Sequence, residues 1–439
     1  MTPLPPASPG LRRSLSLRDA VAIGGAAMLG AGVFTVFGPA AASAGALLPV
    51  ALVLAALVAS ANAFSTAQLA SAYPRSGGAY AYGNRYLGPW PGFAAGWLFV
   101  VGKLASCAAI ALTLGAYTWP GRERFVAALA VVAVAGVNAA GVSRTARVAR
   151  LSVLAVVGIL MIAVVIGVMD PPLPAGPFDP GAPGIADAPG VSAGVGWAGV
   201  TQAAGLLFFA FAGYARIATL GEEVRQPRRT IPRAIAVTLG GVLILYAVIA
   251  VVLLARLGLP RLAASTAPLR DLVEQVGWAQ GLVVVGAAIA CLGSLLALLA
   301  GISRTTMAMA RAGDLPRPLA VISSRKTPAG AEFLAAVVVL VLVMATDLHS
   351  VITFSSVGVL TYYLISNLSA LAQPAPERRF SRAVPIGGAV GCLVLALSLG
   401  WRPVLIAGLV LAVGLVGRWL AMATVARSRR AACASTRRQ

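Results

Sequence analysis

The sequence predicts an all-α polytopic membrane protein with twelve transmembrane helices. Of its 439 residues, 59% are hydrophobic and 11% are charged, and the mean hydropathy is +0.89. A soluble domain carries about 25% charged residues, so this chain has too few to cover a water-exposed surface. A helix needs about 20 mostly apolar residues to cross a bilayer, and the chain contains twelve such runs.

The twelve runs follow one another and leave no room for a soluble domain between them. In chain order they lie at about residues 19–44, 47–70, 92–118, 125–142, 151–169, 197–221, 234–255, 279–302, 332–346, 351–372, 384–400 and 403–423. The ninth and the eleventh are short. The longest connection, residues 170–196, is rich in proline, glycine and alanine and contains no lysine or arginine.

The distribution of lysine and arginine predicts the topology. Of the 34 basic residues, 26 lie in the two tails and in every second connection, and 6 lie in the other connections. Cytoplasmic segments carry the basic excess, so both termini are expected to be cytoplasmic and residues 170–196 extracellular. The net charge of +21 is then explained by topology, and the basic segments would also contact anionic lipid of the inner leaflet. Nucleic acid is not an expected partner.

Glycines interrupt two of the predicted spans. Span 1 contains Gly30-Ala31-Gly32 near its middle, and span 6 contains Gly213. A membrane helix tolerates broken backbone only beside protein or a water-filled cavity, because lipid cannot hydrogen-bond the freed groups. Interruptions at corresponding places in two halves of a chain are typical of transporters with inverted repeats. Close helix packing is the alternative use of glycine in a membrane.

Two helix breaks side by side would suit one kind of ligand. The N-terminal end of a half-helix offers free N–H groups and a positive dipole end, which favour a carboxylate. The C-terminal end offers free carbonyls, which favour an ammonium group. An α-amino acid carries both charges close together, so its zwitterionic head needs no ionisable side chain here.

Several stretches resemble a known group of proteins: residues 30–34, the Tyr73-Pro74-Arg75-Ser76-Gly77-Gly78-Ala79-Tyr80 loop, and residues 208–214, 217–219, 221–227, 231–232, 291–294 and 308–316. On these the chain resembles the amino acid–polyamine–organocation superfamily of permeases over about residues 19–372. Span 6 and its exit are most similar to the cationic amino acid transporter branch.

The resemblance implies a LeuT-type fold of five plus five inverted spans with two peripheral helices. The tails would be residues 1–18 and 424–439, the repeats 19–169 and 197–372, and the peripheral spans 373–423. It also implies a secondary active transporter that moves an amino acid across the cytoplasmic membrane by alternating access, by proton-coupled uptake or exchange. A polyamine or organocation transporter and a non-transporting amino-acid sensor are the alternatives, and no cofactor is expected.

The family's substrate site falls on backbone groups of this chain. The resemblance assigns the carboxylate to the amides of Gly30, Ala31 and Gly32. It assigns the ammonium group to the carbonyls of Met28, Phe209 and Ala212, next to Gly213. The Phe209 side chain is the expected aromatic lid, with ordinary helix packing as its alternative role.

The usual proton-coupling groups of the family are missing. The position of the family's acidic residue in span 6 is Ala215, and span 5 contains no charged residue. Lys103, near the middle of span 3, is therefore a coupling candidate, and a hydrogen bond to backbone carbonyls is its alternative role.

Three charges near the cytoplasmic end of span 6 are gating candidates. Arg216 would reach the membrane surface, pair with Glu222 or Glu223, or contact a substrate side chain. The two glutamates would form an inner-gate network with Arg75, or a solvated charge run.

The remaining residues exclude other classes and narrow the substrate. One histidine and four scattered cysteines give no metal or disulfide spacing, and no nucleophile–base pair or phosphate loop indicates an enzyme. No acidic residue lies at mid-membrane in spans 1, 3, 6 or 8, which favours a neutral or small amino acid.

Overall fold

The computed structural model describes residues 15–74, 77–141, 146–169, 196–219, 223–323 and 327–436. These residues form seventeen α-helices. In chain order the helices are α1 (Leu17–Met28), α2 (Ala31–Thr35), α3 (Phe37–Ala44), α4 (Leu48–Ala72), α5 (Gly78–Tyr86), α6 (Pro89–Thr118), α7 (Glu123–Ala139), α8 (Ala146–Met169), α9 (Trp197–Phe211), α10 (Ala215–Ala218), α11 (Pro227–Ala264), α12 (Pro268–Leu272), α13 (Gly277–Arg311), α14 (Ala329–Ala345), α15 (Leu348–Leu371), α16 (Ala383–Ser398) and α17 (Trp401–Thr436). Short 3₁₀ turns occupy Gly45–Leu47, Ala212–Tyr214, Arg317–Ala320 and Ala375–Glu377.

Nine helical stretches in the described part of the chain are long and apolar enough to cross a membrane. The chain is therefore a polytopic helical membrane protein, as the composition predicts. Helices α7, α14 and α16 correspond to the fourth, ninth and eleventh predicted spans, and have 17, 17 and 16 residues. Nearly all of the predicted extracellular connection 170–196 lies outside the described residues, as do residues 1–14.

Local sequence fixes where several helices begin. Ser16 caps α1 in a capping box, in which its side chain and that of Asp19 each accept from the other's backbone N–H. Proline stands in the first turn of α4, α6, α11 and α12, where the missing N–H would have had no intrahelical acceptor. Near its end α11 is interrupted at Gly258, whose φ of 68° is a conformation that favours glycine.

The helices pack in two groups. Spans 1, 2, 6 and 7 contact one another through α1, α3, α4, α9 and α11. Spans 3, 4, 8 and 9 contact one another through α6, α7, α13 and α14. Span 5 (α8) packs against α1, α11 and α13, and span 10 (α15) packs against α4, α6 and α9. Both broken spans thus belong to the first group.

Burial separates central from peripheral spans. In the most apolar window of α6, 89% of the residues are buried, against 17% in the window of α17. Helix α6 therefore lies at the centre of the bundle. Helix α17 lies at its edge, where exposed side chains would contact lipid. The short helices α5 and α12, in connections between spans, are not predicted by the twelve apolar runs.

Candidate functional site

Span 1 is interrupted at the predicted glycines. Helix α1 ends at Met28 and α2 begins at Ala31. Between them Leu29 (φ −83°, ψ 40°) and Gly30 (φ −87°, ψ −146°) leave the helical conformation. The last carbonyls of α1 and the first amides of α2 therefore lose intrahelical partners within the span.

The amides after this break begin a long helical run. Helices α2 and α3 are joined by Val36, whose dihedral angles are helical and whose N–H donates to the carbonyl of Gly32 at 3.1 Å. Among the residues that the structure describes, none accepts a hydrogen bond from the amides of Gly30, Ala31 or Gly32. The positive end of the helix therefore presents three free donors to its surroundings.

Span 6 is interrupted by a tighter turn. Helix α9 ends at Phe211, a 3₁₀ turn covers Ala212–Tyr214, and α10 resumes at Ala215. The N–H of Ala212 donates to the carbonyl of Phe208. A 3₁₀ turn inside a helix changes the direction of the backbone carbonyls and often marks a hinge or a functional position.

The two interruptions lie against each other at glycines. A Cβ atom on Gly213 would lie 2.4 Å from the carbonyl carbon and oxygen of Ala27 and 2.6 Å from the nitrogen of Met28. A Cβ atom on Gly32 would lie 2.6 Å from both Cα and Cβ of Ala210. The backbones of spans 1 and 6 therefore approach so closely that only hydrogen fits at these two positions.

Two tyrosines supply donors to carbonyls at the breaks. The hydroxyl of Tyr246, on α11, donates to the carbonyl of Met28 at 2.7 Å and to that of Ala210 at 3.3 Å. The hydroxyl of Tyr363, on α15, donates to the carbonyl of Ala212 at 3.3 Å. Sequence reasoning misses both tyrosines. The available signal is a tyrosine inside an apolar span, because its buried hydroxyl needs a partner.

Ser294 lies beside the amide end of the break. Its hydroxyl donates to the carbonyl of Ala26 at 3.2 Å, and a Cβ atom on Gly30 would lie 2.6 Å from its Oγ. Ser294 belongs to α13, so span 8 of the second helix group contacts the break in span 1. Sequence reasoning includes Ser294 in a matching stretch but gives it no role.

Phe209 differs from the aromatic residues around it. Phe208 and Phe211 are fully buried and pack against Tyr363 and Tyr246, with ring centroids 5.8 and 5.2 Å apart. Phe209 is only partly buried. It nevertheless packs against the hydrophobic core, and its lid role stays a prediction.

Lys103 lies deep in the protein. Its side chain on α6 is 7% exposed, and no hydrogen bond or ion pair to it is described within the resolved ranges of the chain. Ser106 lies on the same helix as Lys103. Its hydroxyl is 2.6 Å from that of Ser355 on α15, so the pair links α6 to α15. The structure shows that Lys103 is buried, and its depth in the membrane and its coupling role stay predictions.

The C-terminal end of span 6 is bound to the start of span 1. The N–H of Leu15 donates to the carbonyl of Glu223 at 3.1 Å, and the N–H of Arg225 donates to the carbonyl of Leu15 at 2.9 Å. The guanidinium of Arg216 donates to the hydroxyl of Thr219 at 3.4 Å. Glu222 and Arg75 lie outside the described residues, so the predicted ion-pair network stays a prediction.

An ion pair joins the same end of span 1 to span 5. The guanidinium of Arg150 lies 3.5 Å from the carboxylate of Asp19, whose side chain is 16% exposed. Sequence reasoning misses this contact. Leu15 and Asp19 together hold the start of α1 against two neighbouring segments.

A second network links α17 to α5 and to the segment after α13. The hydroxyl of Tyr80, on α5, donates to the carboxylate of Asp314 at 2.8 Å. The same carboxylate pairs with Arg418 at 2.8 Å, and both charged side chains are less than 10% exposed. Burial, followed by the negative charge of Asp314, raises the pKa of Tyr80 well above its ordinary value.

The geometry defines a class of protein. Two interrupted helices meet at their breaks. One presents amides without an acceptor among the described residues, and both present carbonyls that accept from side-chain hydroxyls. Among the described residues, no group of three or more His, Cys, Asp or Glu side chains could hold a metal ion. This arrangement is typical of a transporter whose site is built from backbone groups.

Comparisons with known proteins agree with this class. The sequence profile described as amino acid permease matches residues 15–421, so the chain belongs to this family of the amino acid–polyamine–organocation superfamily. An uncharacterized transporter of Mycobacterium tuberculosis is 49% identical over 434 residues, which cover 98% of this chain and 96% of the relative. The branched-chain amino acid permease BcaP of Bacillus subtilis is 25% identical over 89% of each chain. The chloroplastic cationic amino acid transporter 7 of Arabidopsis thaliana is 26% identical over 81% of this chain and 65% of the relative.

Proposed function

We propose that this transporter moves an amino acid across the cytoplasmic membrane by alternating access. The observation that carries the proposal is the apposition of the two helix breaks at Gly32 and Gly213. The amides of residues 30–32 are buried, so a substrate would reach them only after neighbouring helices separate. Such a site must open to one side at a time.

We infer a LeuT-type arrangement of twelve spans, with repeats at residues 19–169 and 197–372 and both termini in the cytoplasm. The helix packing supports this inference, because spans 1 and 2 pack with spans 6 and 7, and spans 3 and 4 pack with spans 8 and 9. These are the pairings that two repeats of five helices would produce. The basic excess on one side supports the orientation.

The substrate's carboxylate would accept hydrogen bonds from the amides of Gly30, Ala31 and Gly32. Its ammonium group would bind the carbonyls of Met28, Phe209 and Ala212. Tyr246 and Tyr363 already donate to two of these carbonyls, but each carbonyl oxygen has a second lone pair for the substrate. The tyrosines would thereby hold the acceptors in position.

We infer that the side chain of the substrate is neutral, as in a branched-chain amino acid. The sequences of spans 1, 3, 6 and 8 place no acidic residue at mid-membrane to hold a cationic side chain. The B. subtilis relative named for branched-chain amino acids favours the same class, whereas the plant relatives are named for cationic ones. A polyamine would need carboxylates that these helices do not present.

Reconstituted transport tests the proposal. The purified protein in liposomes should take up radiolabelled L-isoleucine with saturable kinetics. Gly32→Val should abolish uptake, and Gly158→Val should keep it, because a Cβ atom on Gly158 meets nothing within 4 Å. Binding without uptake would replace the proposal with a sensor, and uptake of putrescine alone would replace it with an organocation carrier.

We propose further that Lys103 couples transport to protons. A lysine held 7% exposed inside a membrane bundle is costly to keep charged, so its protonation can follow the opening of the site. In Lys103→Met, an inward proton gradient should no longer stimulate uptake, whereas exchange of internal for external isoleucine should continue. Unchanged stimulation in Lys103→Met would overturn the assignment.

The contacts at the cytoplasmic end of span 1 would act as the inner gate. Leu15 pairs with the segment that contains Glu223, and Asp19 pairs with Arg150. Opening toward the cytoplasm would separate these partners. It would also expose Arg216, which lies on span 6 close to the same contacts in sequence. Glu222 would belong to the same gate.

A further inference from the structure

A large apolar cavity lies away from the helix breaks, among α6, α13, α14, α15 and α17. Its volume is about 440 Å³, and apolar side chains form nearly all of its wall. Two of its lining residues, Leu334 and Ile406, are 45% and 50% exposed. The cavity is therefore a groove that opens between α14 and α17 toward the lipid.

The groove runs along the length of α14. On α14 it is lined by Ala331, Ala335, Val338 and Leu342, which recur every three or four residues and so share one face of the helix. From Ala331 to Thr346 this face is about 22 Å long, at ~1.5 Å of rise per residue. One leaflet of the hydrocarbon core is about 15 Å thick, so an extended acyl chain fits within that length.

The cytoplasmic mouth of the groove is basic. Leu319 lines the groove there, and Arg317 in the same 3₁₀ turn is exposed. Arg311, in the last turn of α13, is exposed as well. The nearby carboxylate of Asp314 is already bound by Arg418 and Tyr80. Arg311 and Arg317 have no acidic partner among the residues that the structure describes, so they match an anionic headgroup.

The groove also touches the helix that supports the helix breaks. Ser350, Val351 and Phe354 of α15 line the groove, and further along α15 the hydroxyl of Tyr363 donates to the carbonyl of Ala212. An apolar occupant would fill the space beside α15 with dispersion contacts that an empty groove lacks.

We propose that this groove binds one acyl chain of an anionic phospholipid from the cytoplasmic leaflet, with the phosphate at Arg317, and that the bound lipid braces α15. The proposal rests on the shape and charge of this surface and on the cytoplasmic orientation proposed above for its basic end. It holds whether the protein transports an amino acid or senses one.

Native mass spectrometry and thermal unfolding test the proposal together. The wild-type protein in mild detergent should retain phosphatidylglycerol in preference to phosphatidylcholine, and added phosphatidylglycerol should raise its thermal midpoint more than phosphatidylcholine does. Ala335→Phe, or the milder Ala335→Leu, fills the groove and should remove both effects. Val341→Phe places the same ring on the 59% exposed face of α14 and should keep them.

The charge is tested separately. Arg317→Gln should weaken phosphatidylglycerol retention about fivefold, the factor that corresponds to about 1 kcal/mol for one basic residue at an anionic membrane surface. Arg122→Gln, at an exposed position between α6 and α7, should not weaken it. Equal retention of phosphatidylglycerol by the wild type and both Ala335 variants would overturn the assignment of the groove as the lipid site. Equal retention of the two lipids by the wild type would overturn the preference for an anionic headgroup. A dimer that the Ala335 variants abolish would show that a second copy of the chain occupies the groove.

Discussion

Replacing Gly32 by alanine perturbs the contact between the two broken helices with a single methyl group. The added Cβ atom would lie 2.6 Å from both Cα and Cβ of Ala210. Carbon atoms rest at about 3.5–4.0 Å, so spans 1 and 6 must separate by about 1 Å at this point. Overpacking of this kind costs about 1–3 kcal/mol of stability.

The same displacement should weaken ligand binding. An amide that moves by about 1 Å from a carboxylate loses a charge-assisted hydrogen bond, which contributes about 1.5–3 kcal/mol. The affinity of Gly32→Ala for L-isoleucine should therefore fall about tenfold to a hundredfold, since each 1.4 kcal/mol is a factor of ten. Isothermal titration calorimetry and the thermal midpoint measure the two effects on one preparation.

Second-site variants make the prediction sharper. Ala210→Gly removes only one of the two atoms at 2.6 Å, so it should not restore Gly32→Ala. In contrast, a Cβ atom on Gly30 would meet only side-chain atoms of Ser294, at 2.6 and 3.1 Å, so Ser294→Gly should partly restore Gly30→Ala. Wild-type affinity in Gly32→Ala, or full rescue by Ala210→Gly, would refute the reasoning. Gly158→Ala is the control in an open position.

Three further predictions concern the supports of the site. Tyr246→Phe removes the hydroxyl that donates to two buried carbonyls. Stability should fall by about 1–2 kcal/mol, which lowers the thermal midpoint. An unchanged midpoint would contradict the role of the hydroxyl. A double-mutant cycle of Asp19→Asn and Arg150→Gln should give a coupling free energy of at most about 1 kcal/mol, because the arginine is 48% exposed. A much larger coupling free energy would mean that the pair is shielded from water. Tyr80 has a pKa raised by burial and by Asp314, so its contribution to stability is complete below its ordinary pKa of 10.0 and declines as the pH rises through the folded-state value. The thermal midpoint should therefore fall more steeply above pH 10.0 in the wild type than in Tyr80→Phe, and equal slopes would contradict the assignment.

The broken span 1 could be predicted from sequence because its cause is local. Gly30 and Gly32 remove the side chains that would cover free backbone groups, and the partner glycine in span 6 lies at the corresponding position. The basic residues likewise predict a side of the membrane for each connection, because each connection carries its own count of lysine and arginine. The burial of Lys103 agrees with its position far from both ends of its span.

The partners of the breaks could not be predicted, because they come from distant parts of the chain. Tyr246, Tyr363 and Ser294 reach the site from spans 7, 10 and 8, and no spacing in the sequence links them to Met28 or Ala212. Hydropathy alone also missed α5 and α12, since these helices are too short and too polar to form apolar runs.

Binding of amino-acid fragments tests the central claim most directly. Calorimetry of the purified protein should compare L-isoleucine with 2-methylbutylamine, which lacks the carboxylate, and with 3-methylpentanoate, which lacks the ammonium group. A site built from the amides at Gly30–Gly32 and the carbonyls at Met28 and Ala212 needs both charges, so each fragment should bind at least about tenfold more weakly, the loss of one charge-assisted hydrogen bond. Equal affinity for isoleucine and 2-methylbutylamine would contradict a zwitterion site.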